Sequence, residues 1–209
     1  MIKHYQMTIL EEFVEKLYSR FKITEPKQIT VRELSKRLNV WVHYEEVTSR
    51  ALEAVSGMYS MFLDSRLPVE QQRIDFLHEL CHLLRHAGNQ FLMPESFTRM
   101  QELEAEQFVT YAAMPISMIS RLVIPTDHYQ AKCLLMEEFK VSSHLAEKRI
   151  SQIHRRINQS MMTATLKDRG DNQNYQLPCW SPETKRILKQ LDRQLIARGL
   201  PRYEDKGLI

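Results

Sequence analysis

His78-Glu79-Leu80-Cys81-His82 is the string whose residue types and spacing carry chemistry in this sequence. Two histidines at i and i+4 of a helix share one face, so both imidazoles reach a single metal ion. Glu79 follows the first histidine. From there its carboxylate reaches a water on the metal and not the metal itself. Zinc lowers the pKa of such a water towards neutrality, and Glu79 is the base that takes its proton. The plain alternative is a chance string in a chain with 8 histidines. Against it, Ile74, Phe76, Leu77, Leu80, Leu83 and Leu84 flank the string as on a core helix. Two ionisable rings in such surroundings need partners, and a metal ion supplies one.

A catalytic zinc needs a third protein ligand and an open position. Glu102-Leu103-Glu104-Ala105-Glu106 offers three carboxylates. On a helix Glu102 and Glu106 share a face, while Glu104 points almost the opposite way. That face continues through the small residues Ala105, Val109 and Ala113, which permit close approach to the motif helix. Glu102 is therefore the expected third ligand. Glu106 is the expected acceptor for the other N–H of a ligand histidine, and Glu104 belongs to a solvated face. His86 lies one turn beyond His82. It either supports the site or faces substrate, and the alternative is a surface histidine. Tyr59 and Tyr111 are candidates for stabilising the oxyanion of a tetrahedral intermediate, although Tyr111 falls half a turn from the face of Glu102.

This block resembles the ImmA/IrrE family of metallopeptidases, found in phages, mobile elements and stress responses. The resemblance rests on Arg73…His78-Glu79-Leu80-Cys81-His82…His86, on the strand pair before it, and on Glu102-Leu103-Glu104-Ala105-Glu106-Gln107-Phe108…Met114-Pro115. Aligned on Met114-Pro115, the family's metal-binding glutamate falls on Glu102. The sequence has Cys81 where the family commonly has Gly, and Val109 where it often has Ala. The resemblance covers residues 25–120 well, 121–158 loosely and the last part of the chain not at all. It implies a zincin-like site and a specific protein substrate, a helix-turn-helix repressor whose cleavage relieves repression. A place in a toxin–antitoxin or stress-response system fits equally. The rival from another class is a regulatory protein that binds DNA or a repressor without cutting it, its metal site structural or vestigial. The intact Glu79 argues against that rival, since a structural site has no use for a base.

The elements that must position these residues are mostly helical. Only 5 glycines occur, so few turns need positive φ, which favours helices over an all-β fold. With 43% apolar and 26% charged residues, a globular core is expected. Ile9, Leu10, Phe13, Val14, Leu17 and Phe21 recur at helical spacing, and Thr24-Glu25-Pro26 stops that helix. A short helix begins at Thr30, with Glu33 placed for a capping box and Asn39 for a left-handed stop. Strands are expected at 40–44 and from Gly57 to Asp64, with a polar stretch between. The second strand is also read as an edge able to pair with an extended peptide. Pro68 opens the motif helix, 88–97 is a loop, and a helix runs from Thr98 to Ala113. Further helices over 116–158 break around Pro125 and Lys140.

The predicted class is α+β, predominantly helical, with the motif helix beside a small sheet. The predicted divisions are a peptidase domain (1–120), a helical, helix-turn-helix-like subdomain (121–158), and an appendage (159–209). In the subdomain Ser142 or Ser143 caps a helix carrying Lys148, Arg149, Arg155 and Arg156. A solvated basic face is preferred there over a DNA-recognition helix, because a net charge of +3 is too mild to imply nucleic acid. The appendage reads as irregular over 161–180. It then forms a helix from Ser181-Pro182 to Gly199-Leu200-Pro201, docked through Trp180, Ile187, Leu188, Leu191 and Leu195. Three cysteines without a CxxC pair speak against a disulfide framework. No signal-peptide pattern and no apolar run of roughly 18 residues occurs. A cytoplasmic protein holding Zn2+, acting on a protein partner and not on a membrane, is the expectation.

Overall fold

The computed structural model describes residues 4–55, 58–86 and 94–172, with a few helical positions between 186 and 194. The chain runs α1 (Ile9–Arg20), a 3-10 turn (Pro26–Gln28), α2 (Val31–Leu38), β1 (Val40–Glu45), β2 (Arg50–Val55) and β3 (Met58–Asp64). It continues through α3 (Val69–Arg85), α4 (Glu95–Ala113), α5 (Ile116–Ile119), α6 (His128–Phe139) and α7 (Ser143–Asn172). It divides into two compact units, Met1–Met161 and Met162–Ile209. No helix among the described residues is long and apolar enough to cross a membrane. The class is the expected one, mostly helical with one small sheet.

Local signals explain most of the boundaries. Thr8 and Thr30 each accept a backbone N–H in the first turn of α1 and α2, at 3.2 Å from Glu11 and Glu33 respectively. Asn39 ends α2 in the left-handed region, φ 55°, and leads straight into β1. Asp127 caps α6 through Gln130 N, and Ser142 caps α7 through Leu145 N. Lys140, also left-handed at φ 52°, makes the corner between those two helices. Met114-Pro115 ends α4.

Four expectations fail. The polar stretch before Gly57 contains a strand, β2, which pairs antiparallel with β3. The sheet order is β1-β3-β2, with β1 parallel to β3. The strand read as a peptide-binding edge is therefore the central one, bonded on both sides. α4 starts at Glu95, inside the predicted loop. α7 runs on to Asn172 through Gly170, where an irregular segment was expected. Gly57, most of the loop over 88–93 and most of the C-terminal helix lie outside the described residues.

The core puts the motif helix at the centre of the first unit. Phe76, Leu77, Leu80 and Cys81 of α3 are fully buried against Met61 and Leu63 of β3 and Ala105, Phe108 and Ala112 of α4. The alanines of α4 carry little bulk, which lets its backbone lie close to α3. Arg73 of α3 is buried and donates to the carbonyls of Ile29 (3.4 Å), Phe139 (3.0 Å) and Lys140 (2.6 Å). Two of these are carbonyls at the C-terminal end of α6, which lack helical partners. Arg149 of α7 is fully buried and pairs with Glu11 of α1 at 2.6 Å. It also donates to Met114 O.

Candidate metal centre

Three donors converge where α3 meets α4. His78 Nε2 lies 3.1 Å from His82 Nε2. Glu102 Oε2 lies 3.1 Å from His78 Nε2, and Glu102 Oε1 lies 3.4 Å from His82 Nε2. The helical spacing supplies the two imidazoles from one face of α3, and α4 brings the carboxylate across. An ion with tetrahedral bonds of about 2.0–2.1 Å has its ligand atoms roughly 3.3 Å apart. The His78–His82 separation is close to that edge length, the two contacts to Glu102 use different carboxylate oxygens, and one donor atom from each residue lies within 4.8 Å of the others, a group that could hold one ion. Two imidazoles and a carboxylate are a donor set able to hold a divalent transition metal. His78 and Glu102 keep 26% and 44% of their side-chain surface exposed, which leaves the outer side of the cluster open to water or substrate.

Electrostatics suit ligation. Burial pushes the His82 imidazole down to about 4, against the pull of Glu102 and with the aid of the His78 and His86 rings. It is thus neutral, with a lone pair to give. Glu79 is half-buried, and burial raises its carboxyl above the usual range, opposed first by a hydrogen bond from Ala51 N. That bond, 2.9 Å to Oε2, comes from β2. The raised pKa means that Glu79 holds a proton more readily than a free carboxylate does. Cys81 is buried within the core, and burial pushes its thiol up to about 12. It is a packing residue and not a competing ligand.

The hairpin that carries Ala51 is fastened to α3 independently. Ser49 Oγ donates to Asp75 Oδ2 at 2.7 Å and accepts from Asp64 N at 3.1 Å. Gln72 donates to Asp64 O and Leu67 O. The start of β2, the end of β3 and the first turns of α3 therefore move as one piece.

Other expected site residues fall elsewhere. Glu106 is 58% exposed and sits 3.5 Å from Lys148 Nζ of α7; it does not reach either histidine. It lies one turn beyond Glu102 on α4, where its partner is Lys148 of α7. Glu104, expected to be solvated, is drawn in by Arg85 and His86. Burial alone raises its carboxyl, but the Arg85 hydrogen bond and charge, followed by those of His86, bring it below the usual range. His86 is well covered, and its Nδ1 is 2.8 Å from His82 Nδ1. Tyr111 is buried at the α4–α7 junction, its hydroxyl accepting from Gln152 at 2.8 Å and Arg156 at 3.2 Å. Tyr59 is half-buried on β3 against the core. Among the described residues no hydrogen bond joins either tyrosine to the cluster.

Sequence reasoning missed Ala51 altogether, because a backbone donor leaves no trace in residue type. The basic residues of α7 differ in their surroundings, with Lys148 and Arg155 exposed. Arg149 is buried, Arg156 donates to Gln6 O and Tyr111, and Lys148 faces Glu106.

Comparison with known proteins adds an independent line. A peptidase family model, described as the IrrE N-terminal-like domain, matches residues 35–151. The phage-like element PBSX protein XkdA of Bacillus subtilis (strain 168) is 39% identical over 147 residues, which is 70% of this chain and 74% of that protein. The uncharacterized protein YqaB of the same organism is 33% identical over 162 residues, 78% of this chain and 94% of its own length.

Proposed function

The chain belongs to the IrrE N-terminal-like family of metallopeptidases, and on that premise we propose that it is a zinc-dependent endopeptidase that cuts one regulatory protein. The observation that carries the reading is the convergence of His78, His82 and Glu102 within 4.8 Å of one another, with the half-buried Glu79 next to His78 on the same helix. In this reading His78, His82 and Glu102 hold the zinc. When bound, the ion makes a water acidic enough to lose its proton near neutral pH and polarises the scissile carbonyl.

The chain's own residues do the rest. Glu79 accepts the proton of the attacking water and returns it to the departing amine. The Ala51 N–H holds one oxygen of that carboxylate and leaves the other free to exchange the proton. The burial of Glu79 keeps its pKa high enough for both transfers. β2, an edge strand in contact with Glu79, offers its free side to an extended stretch of substrate; β3 has no free side to offer.

The substrate in this reading is a helix-turn-helix repressor encoded near the gene, and cleavage relieves repression. XkdA is named for a phage-like element, a setting in which such repressors fit. The test is incubation of the neighbouring repressor with zinc-loaded wild type and with Glu79→Gln, read by mass spectrometry of the fragments. One cut with wild type and none with Glu79→Gln is the expected result. Equal cutting by both removes the mechanism, and no cutting by wild type removes the substrate.

A further inference from the structure

We propose that His86 and Glu104 form a positioning relay that fixes the His82 ring for metal binding. The inference rests on the metal-site reading above.

An imidazole that offers its Nε2 lone pair to a metal carries its proton on Nδ1. In His82 that Nδ1 faces His86 Nδ1 at 2.8 Å. His86 can accept there only if its own proton sits on Nε2. That Nε2 lies 3.4 Å from Glu104 Oε2, an acceptor. With both rings neutral, this is the arrangement of protons in which every donor along the line meets an acceptor. Reversing it puts a proton on His82 Nε2, at the point where the three ligand atoms converge. The relay and the metal therefore demand the same tautomer of His82.

The geometry is built and not incidental. His86 caps α3 with extended backbone, φ −104° and ψ 116°, while its N–H still bonds His82 O at 3.1 Å. Its ring packs against that of His82 with centroids 4.8 Å apart. Only 7% of its side chain is exposed. Behind it, Glu104 accepts from Arg85 Nε at 2.5 Å, and the Arg85 guanidinium lies over the Phe13 ring of α1 at 4.9 Å. A ligand histidine commonly gives its outer N–H directly to a carboxylate or a carbonyl. Here a second imidazole is interposed, and the carboxylate stands one ring further out. Glu102 thus meets the Nε2 atoms of His78 and His82, and Glu104 meets His86 and Arg85.

The experiment is zinc titration of the purified full chain against a competing chromophoric chelator. It covers wild type, His86→Ala, His86→Gln and Glu104→Gln, with melting of each metal-free protein alongside. Cobalt-substituted samples supply a visible spectrum of the site. The expected result is a roughly 10–100-fold weaker affinity in His86→Ala. His86→Gln, whose amide oxygen still accepts from Nδ1–H, recovers part of it, and Glu104→Gln shows a smaller loss. The cobalt bands shift in His86→Ala while the metal-free melting temperature stays put. Wild-type affinity in all three variants overturns the relay and leaves the metal site standing. A loss that tracks a lower metal-free melting temperature, unrelieved in His86→Gln, overturns it in favour of plain packing. A wild-type chain that binds no zinc overturns the proposed function itself.

Discussion

The backbone N–H of Ala51 donates to Glu79 Oε2 at 2.9 Å, so an edge strand of the sheet aims the carboxylate on the motif helix. Ala51→Pro removes that donor and no side-chain contact of the cluster. Proline is tolerated on an edge strand where the N–H does not serve the ladder. A hydrogen bond to a charged group is worth about 1.5–3 kcal/mol. Peptide hydrolysis is expected to fall by about tenfold or more, with zinc content unchanged by atomic absorption. Undiminished turnover in a folded Ala51→Pro protein removes the role of β2.

Glu102 and Glu106 stand one turn apart on α4 but face different partners, the histidines and Lys148. Glu102→Ala is expected to lose zinc on dialysis, and Glu106→Ala to keep one equivalent. Stoichiometry after exhaustive dialysis decides it. Retention in Glu102→Ala, or loss in Glu106→Ala, reassigns the third ligand.

Acid acts on the metal-free protein through His82. Its ordinary pKa of 6.5 is lowered to about 4 in the fold. Between those values the unfolded chain binds more protons than the folded one, so stability rises with pH across that window. The contribution is whole above pH 6.5 and is lost as the pH falls towards 4. With chelator present, urea midpoints are expected to drop over this range, and His82→Gln to flatten the drop. A slope that is identical in the variant assigns the acid sensitivity to other groups.

Arg149 and Glu11 form a buried pair at 2.6 Å. Removing one member leaves an uncompensated charge in the core. Arg149→Met is expected to cost about 3–5 kcal/mol in urea unfolding. Arg149→Met combined with Glu11→Leu is expected to cost much less than the sum of the single changes, because no lone charge remains. Additive losses exclude the pair as a coupled unit.

The legible parts of this molecule are those written in side-chain type and helical period. His78, Glu79 and His82 announce themselves by spacing, and Glu102 by the small-residue face it shares with Ala105 and Val109. The caps at Thr30, Asn39 and Ser142 are equally local. β2 escaped notice because Arg50-Ala51-Leu52-Glu53-Ala54-Val55 is rich in helix formers, and only pairing with β3 makes it a strand. Glu106 and Glu104 were exchanged for a related reason. Helical spacing fixes the angle at which a side chain leaves the axis, but not how far along that axis a neighbouring helix lies. α3 spans the reach of Glu102 and Glu104, and α7 takes Glu106. The continuation of α7 past Met161 was hidden by its polar run, which has no core-facing stripe to reveal a helix.

Arg73 stands five residues before His78, yet two of its three carbonyl partners, Phe139 and Lys140, come more than sixty residues later. The helix that presents the histidines is thus seated by the far end of its own unit. On the ribosome the HExxH string emerges long before the residues that lock it in place, and Glu102 emerges between the two. A nascent chain halted anywhere short of the α6–α7 corner carries the histidines and the base without a firm seat. The order of synthesis therefore leaves the motif helix without two of its three carbonyl anchors until the α6–α7 corner has been made.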